Sequence, residues 1–126
     1  MLLDSNILIQ AANQTAPETE SLVGSGDHSG GSITRLEVCG FTGLMPEETA
    51  TLDILFRRLT VHPLDEPVIW QAIALRQECR MGLGDAIISA TALVHGLPLV
   101  TRNTDDFKHV ENLKLVNPFA AREQGG

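Results

Sequence analysis

The chain is predicted to fold as an α/β layer protein around a mainly parallel sheet, on three observations. Apolar strand-like runs at 1–4, 97–101 and 113–116 are separated by segments with helical periodicity, the pattern that gives parallel strands joined by crossover helices. Residues 85–95 make a helix that is apolar almost all round, which marks it as buried rather than lying half in water. The 126 residues suit one domain, long enough to bury a core and too short for two comfortable ones.

The elements follow in order. Met1-Leu2-Leu3-Asp4 opens as a strand, and a helix runs from Ser5 to about Asn13 with Ile7, Leu8 and Ala11 on one face. Thr15-Ala16-Pro17-Glu18 has capping-box spacing with Pro in the first turn, and starts a short helix that ends by Gly24. Gly24 to Gly31 is a flexible loop by composition. Thr34-Arg35-Leu36-Glu37 opens a helix to about Gly43, and Pro46-Glu47-Glu48 opens another whose Leu52, Leu55, Phe56 and Leu59 form an apolar stripe, either core or interface. Leu59 to Leu64 alternates as a short strand, and Asp65-Glu66-Pro67 starts a helix to about Arg80, with Ile69, Ala72, Ile73 and Arg76 at helical spacing. Gly82-Leu83-Gly84 breaks the chain before the apolar helix, and Gly96 ends that helix. The expected domain spans 1–119, with 120–126 a loose tail.

Composition bounds the function. Hydrophobic residues make up 43%, mean hydropathy is +0.05, and no apolar run approaches the roughly 18 residues that cross a bilayer. The opening has no basic segment ahead of a long apolar one, so it reads as a strand of the mature fold and the expected location is the cytosol, with no membrane partner. Cys39 and Cys79 are expected as small buried hydrophobes, and Trp70 as core. The net charge of −7 counts against nucleic-acid binding, and two divalent cations would bring it only to −3. A phosphate-facing surface must then come from local groups such as Arg35, Arg102 or the Arg57-Arg58 pair, or from a second subunit.

Four acids stand where such a fold gathers ligands: Asp4 after the first strand, Glu37 and Asp85 near helix starts, and Asp106 in the turn after the strand at 97–101. Each has a plain structural reading. Asp4 and Asp85 suit N-caps, Thr34-x-x-Glu37 is itself a capping box, and Asn103-Thr104-Asp105-Asp106 reads as a solvated turn with Asp105 pointing outward. Electrostatics lifts the set above its members. Two like charges about 4 Å apart repel by roughly 4 kcal/mol at an effective dielectric near 20. Converging carboxylates therefore protonate or bind a cation, and an all-oxygen set selects Mg²⁺ or Mn²⁺. No His stands at a zinc-like spacing, and there is no phosphate-binding Gly-x-x-x-x-Gly-Lys, no Gly-x-Ser-x-Gly and no Tyr for base stacking. His28 and His62 carry no assigned role.

These residues resemble the PIN-domain family, and within it the VapC-type toxins of toxin–antitoxin pairs. The resemblance is carried by Leu2-Leu3-Asp4-Ser5-Asn6-Ile7-Leu8-Ile9, Ile33-Thr34-x-x-Glu37, Asp85-Ala86-Ile87-Ile88-x-Ala90-x-Ala92 and Leu99-Val100-Thr101-Arg102-Asn103-x-x-Asp106-Phe107, with Leu115-Val116-Asn117-Pro118 as the ending. It implies a three-layer α/β/α sandwich, Mg²⁺- or Mn²⁺-dependent cleavage of RNA, frequent homodimers, and inhibition by an antitoxin whose tail enters the cleft. Position by position it makes Asp4, Glu37, Asp85 and Asp106 the acidic set, with Asp4, Asp85 and Asp106 as metal ligands and Asn6, Thr101 and Asn103 as polar supports. Asn103, Asp105 and Asp106 are alternatives for the last ligand. The chain departs from the family at Asp27 to Gly31, where an apolar strand is usual, so the second strand is expected to be short or poorly formed. A PIN-like module that binds without cutting is the alternative function. A phosphatase or receiver domain is disfavoured, because Asp4-Ser5-Asn6 lacks an Asp two residues on and Arg102 stands where a Lys is wanted.

Overall fold

The computed structural model describes residues 1–13 and 28–120. The helix expected between Thr15 and Gly24, and the tail expected from 120 onward apart from Ala120 itself, lie outside these residues. The described elements are β1 (Leu2–Leu3), α1 (Ser5–Asn13), β2 (Ser29–Gly31), α2 (Ser32–Cys39), α3 (Pro46–Arg58), β3 (Thr60–His62), α4 (Glu66–Glu78), α5 (Leu83–His95), β4 (Leu99–Val100), a single 3₁₀ turn (Thr104–Asp106) and β5 (Leu115–Val116). The strands form one parallel sheet in the order β3-β2-β1-β4-β5. This is the α/β/α sandwich that was expected.

Strand alternation sorts the core into its layers. Leu3 and Val100 face one side, packed with Ile7, Leu8 and Ala11 of α1 and Leu52, Leu55 and Phe56 of α3. Leu2 and Leu99 face the other, against Ile88 and Ala92 of α5 and Phe107. Behind α5, α4 inserts Val68, Ala72 and Leu75 against Ala86, Ile87 and Ala90. The small residues of α5 let both the sheet and α4 approach closely, which is why this helix is buried on nearly every side.

Several expectations are corrected by this packing. The segment Ser29-Gly30-Gly31, read as flexible loop, is a buried strand. A Cβ on Gly30 would stand 3.6 Å from both Phe56 and Leu59, and one on Gly31 would stand 3.4 Å from Ile88, so both layers press onto a strand thin enough to admit them. The short second strand anticipated from the departure at Asp27 to Gly31 is thus real. Trp70 is not core but 68% exposed, because α4 buries the Val68, Ala72, Leu75 face and leaves Trp70, Ile69 and Ile73 outside it. Cys39 is exposed at the end of α2, one position past buried Val38, and Cys79 is half-buried at the cap of α4. The α3 stripe of Leu52, Leu55, Phe56 and Leu59 is core rather than interface.

Candidate active site

β1 is flanked by β2 and β4, and the chain reverses its direction of travel across the sheet on passing from β3 to β4. The crevice beyond the carboxyl ends of β1 and β4 is the switch point at which such sheets bind ligands. Asp4 follows β1 directly and Thr101 follows β4 directly, so the sheet itself sets them side by side. The Thr101 hydroxyl donates to Asp4 Oδ2 at 2.8 Å, and the Ser5 backbone N–H donates to Asp4 Oδ1 at 2.8 Å. Asn6 Nδ2 reaches Asp4 Oδ2 at 3.4 Å and Thr101 Oγ1 at 3.2 Å. The backbone N–H of Asn103 donates to Thr101 Oγ1 at 3.1 Å, and that of Arg102 to Asn6 Oδ1 at 3.3 Å. Asp4, Asn6, Thr101 and Asn103 are thereby one network. The cap that Asp4 provides is limited to the adjacent N–H, leaving its second oxygen to side chains.

The other acids arrive from flanking elements. α2 begins at Ser32 with Gly31 as its N-cap and no side-chain cap. The expected Thr34 to Glu37 capping box is therefore absent. Thr34 is buried in the first turn, and Glu37 sits a turn further on with its carboxylate against Gly84, where an added Cβ would come within 2.9 Å of Oε2. The short β2 does not displace Glu37 from the crevice. α5 begins at Leu83 with Gly82 as N-cap, so Asp85 is not the cap but a residue of the first turn.

Burial pushes the Asp4 carboxyl above the usual range, opposed by Thr101 and Ser5 and reinforced by the charge of Asp106. Partial desolvation raises Glu37, with the charges of Asp4 and Asp85 adding to it. Partial burial raises Asp85 as well, helped by Asp4 and Asp106 and opposed by His109. All four acids are therefore electrostatic neighbours. Within the last turn it is Asp106 whose charge reaches Asp4 and Asp85, whereas Asp105 points outward to Lys108 at 3.4 Å.

As the side chains stand, no three His, Cys, Asp or Glu among the described residues converge closely enough to ligate one ion. The donor set still suits Mg²⁺ or Mn²⁺. Mg²⁺ usually takes one or two carboxylates and keeps several waters. Here Asp4 is held by hydrogen bonds at the carboxyl end of β1, while Asp85 is half-buried and Asp106 exposed. Sequence reasoning missed Gly84, read only as a helix break, and His109, which no spacing singles out.

The PIN domain family model matches residues 1–113. The chain belongs to the PIN domain family. A toxin-antitoxin complex from Klebsiella pneumoniae is similar at 30% identity and TM-score 0.77, over 93% of this chain and 96% of that one. VapBC2 from Rickettsia felis, bound to a DNA fragment from its promoter, is similar at 26% identity and TM-score 0.80, over 92% and 96%. DNA-bound VapBC from Salmonella typhimurium shares the fold, with TM-score 0.79 at 20% identity over 93% and 96%. No curated protein matches the chain. The resemblance read from the sequence, to PIN domains of the VapC type, is borne out. Among the described residues of this PIN domain, no helix is long and apolar enough to cross a membrane.

Proposed function

We propose that this PIN domain, spanning residues 1–119, is the toxin of a VapBC-type pair and an Mg²⁺- or Mn²⁺-dependent endoribonuclease acting in the cytosol. The observation that carries this reading is the fixed Asp4 at the sheet's switch point, with the charges of Glu37, Asp85 and Asp106 brought to bear around it. Carboxylates so arranged repel one another and favour a cation between them. Asp4, Asp85 and Asp106 would hold the ion. When bound, it would supply Lewis acidity that polarises the phosphodiester and lowers the pKa of water, so that the nucleophilic hydroxide is available near neutral pH.

This chain's own residues do the rest. Thr101 and Asn6 keep Asp4 in a single orientation, and Asn103 fixes Thr101 through its backbone N–H. Glu37, held above the usual carboxylate range, is a stronger base than an ordinary glutamate, and it takes the proton of the attacking water at Oε. An antitoxin, as in the Klebsiella pneumoniae complex, is the expected protein partner, and a second copy of the chain the expected subunit.

Antitoxin-free protein incubated with structured RNAs should cut them only with Mg²⁺ or Mn²⁺, and Asp4→Asn and Asp85→Asn should each abolish cutting. Cleavage that survives EDTA or either substitution removes the reading. Absence of heat in a calorimetric Mn²⁺ titration, together with intact RNA, favours the alternative of a binding module that does not cut.

A further inference from the structure

The acidic site leaves one requirement unmet. A polyanion has to be held beside four carboxylates on a chain of net charge −7, and a cation bound among the acids acts only on the phosphate being cut. The neighbouring phosphates need a positive group on the same edge of the sheet. Lys108 lies 3.4 Å from Asp105, and the charge of His109 acts on Asp85. Arg102 stands on that edge as well. It follows Thr101 at the carboxyl end of β4, its backbone N–H is bonded to Asn6 Oδ1, and its exposed side chain lies with Cζ 4.8 Å from the centre of the Phe119 ring. Phe119 is itself buried, just beyond the end of β5. The ring is therefore a buried, rigid platform beneath the guanidinium, just past the carboxyl ends of β4 and β5, and a guanidinium held over a ring face is restricted in where its N–H donors can point.

Resting on the ribonuclease reading, we propose that Arg102 is a phosphate-anchoring residue of the substrate site: stacked on Phe119, it grips the RNA backbone next to the scissile phosphate by paired N–H···O bonds. A planar fork on a rigid ring suits a phosphate better than a mobile ammonium, because less freedom is lost on binding.

The test uses full-length protein and a pool of unfractionated tRNA as probe. Binding is measured by filter retention in the Asp4→Asn background so that nothing is cut, and cleavage is measured with Asp4 intact. Arg102→Gln should weaken binding about tenfold at 0.1 M salt and flatten the slope of log K against log salt by about 0.7–0.9, the share of one phosphate contact on single-stranded or duplex nucleic acid. In cleavage it should raise KM with little change in kcat. Lys114→Gln, which removes one positive charge just ahead of β5 at the amino end of the sheet, should leave both unchanged. If Arg102→Gln lowers the melting temperature, Arg102→Lys serves instead, keeping the salt slope while binding a few-fold more weakly.

An unchanged affinity and slope in Arg102→Gln, or an equal loss in Lys114→Gln, overturns the anchor. Such a result leaves the nuclease reading standing provided the unsubstituted protein still cuts RNA in a metal-dependent way. Protein that neither binds nor cuts tRNA overturns both.

Discussion

Thr101 is fully buried, and its hydroxyl works in two directions at once, donating to Asp4 and accepting from Asn6 and from the Asn103 backbone. Its removal strands a partly buried carboxylate and two donors. Thr101→Val, close to isosteric, should therefore cost about 1–3 kcal/mol in stability. It should lower activity by roughly 10- to 100-fold, as loss of a group that orients a metal-binding residue commonly does. The Thr101 bond is among those that hold the Asp4 carboxyl down against burial, so the acid limb of the activity profile should also move to higher pH. A Thr101→Val protein with wild-type melting and an unmoved acid limb would show that Asp4 is positioned by Ser5 and Asn6 alone. The importance of Asp4 is legible in the sequence, since a carboxylate closing an apolar strand is costly without partners. The identity of its hydroxyl partner, 97 residues away, is suggested there only by the family likeness. Gly84 is less legible still, because its role is to be absent as a side chain where Glu37 rests.

At the scale of elements, the sequence speaks clearly where periodicity is long and poorly where neighbours decide. The helices α1, α3, α4 and α5 fall within two residues of their expected bounds, because each carries its own apolar stripe or cap. Asp65, for example, accepts from the Val68 N–H at 3.3 Å and starts α4 where expected. β2 has neither stripe nor propensity, and it is a strand because Leu2 on one side and Thr60 to His62 on the other supply its hydrogen bonds. The same dependence on neighbours governs the far edge, where His62 of β3 stacks on His95 at the end of α5 with ring centres 4.0 Å apart. Burial, then the charge of His95, lowers the His62 imidazole below its ordinary value of 6.5, against the opposing pull of Asp65. A folded-state value below the unfolded one means that unfolding takes up a proton. This contribution to stability is present above about pH 6.5 and is lost as the pH falls through the lowered folded value. His62→Phe keeps a stacked ring that does not titrate, so the fall in melting temperature between pH 7.5 and 5 should be shallower in the variant. Equal slopes would mean that the stack does not link β3 to α5 energetically.

For the molecule as a whole, the sheet order is what turns four scattered acids into one site. No single motif states that β1 lies between β2 and β4, yet that order alone puts Asp4 beside Thr101 and brings α2 and α5 to the same crevice. The consequence is a fold that carries its own repulsion. Asp4, Glu37 and Asp85 all have carboxyls held above their ordinary values, first by desolvation and then by neighbouring carboxylate charge, that of Asp106 on Asp4, of Asp4 and Asp85 on Glu37, and of Asp4 and Asp106 on Asp85. Carboxyls raised in the folded state contribute stability that is fully present below the unfolded value and is lost as the pH rises through the folded one. The metal-free protein at neutral pH therefore stands in the destabilised part of that range. Asp85→Asn removes one charge from the cluster without removing its bulk, so the metal-free variant should melt above the wild type at pH 7.5. Asp85 is only partly buried and solvent screens it, so the gain should be no more than about 1 kcal/mol, or roughly 2–5 °C. The advantage should shrink as the pH falls toward the ordinary aspartate value of 3.8. Millimolar Mn²⁺ should raise the wild-type melting temperature and close the gap, because an ion that binds only the folded state stabilises it by mass action and the variant binds that ion poorly. A variant that melts below the wild type at every pH, with no upward shift of the wild type in Mn²⁺, would mean that the acids stand too far apart to repel, and that Asp85 serves α5 rather than an ion.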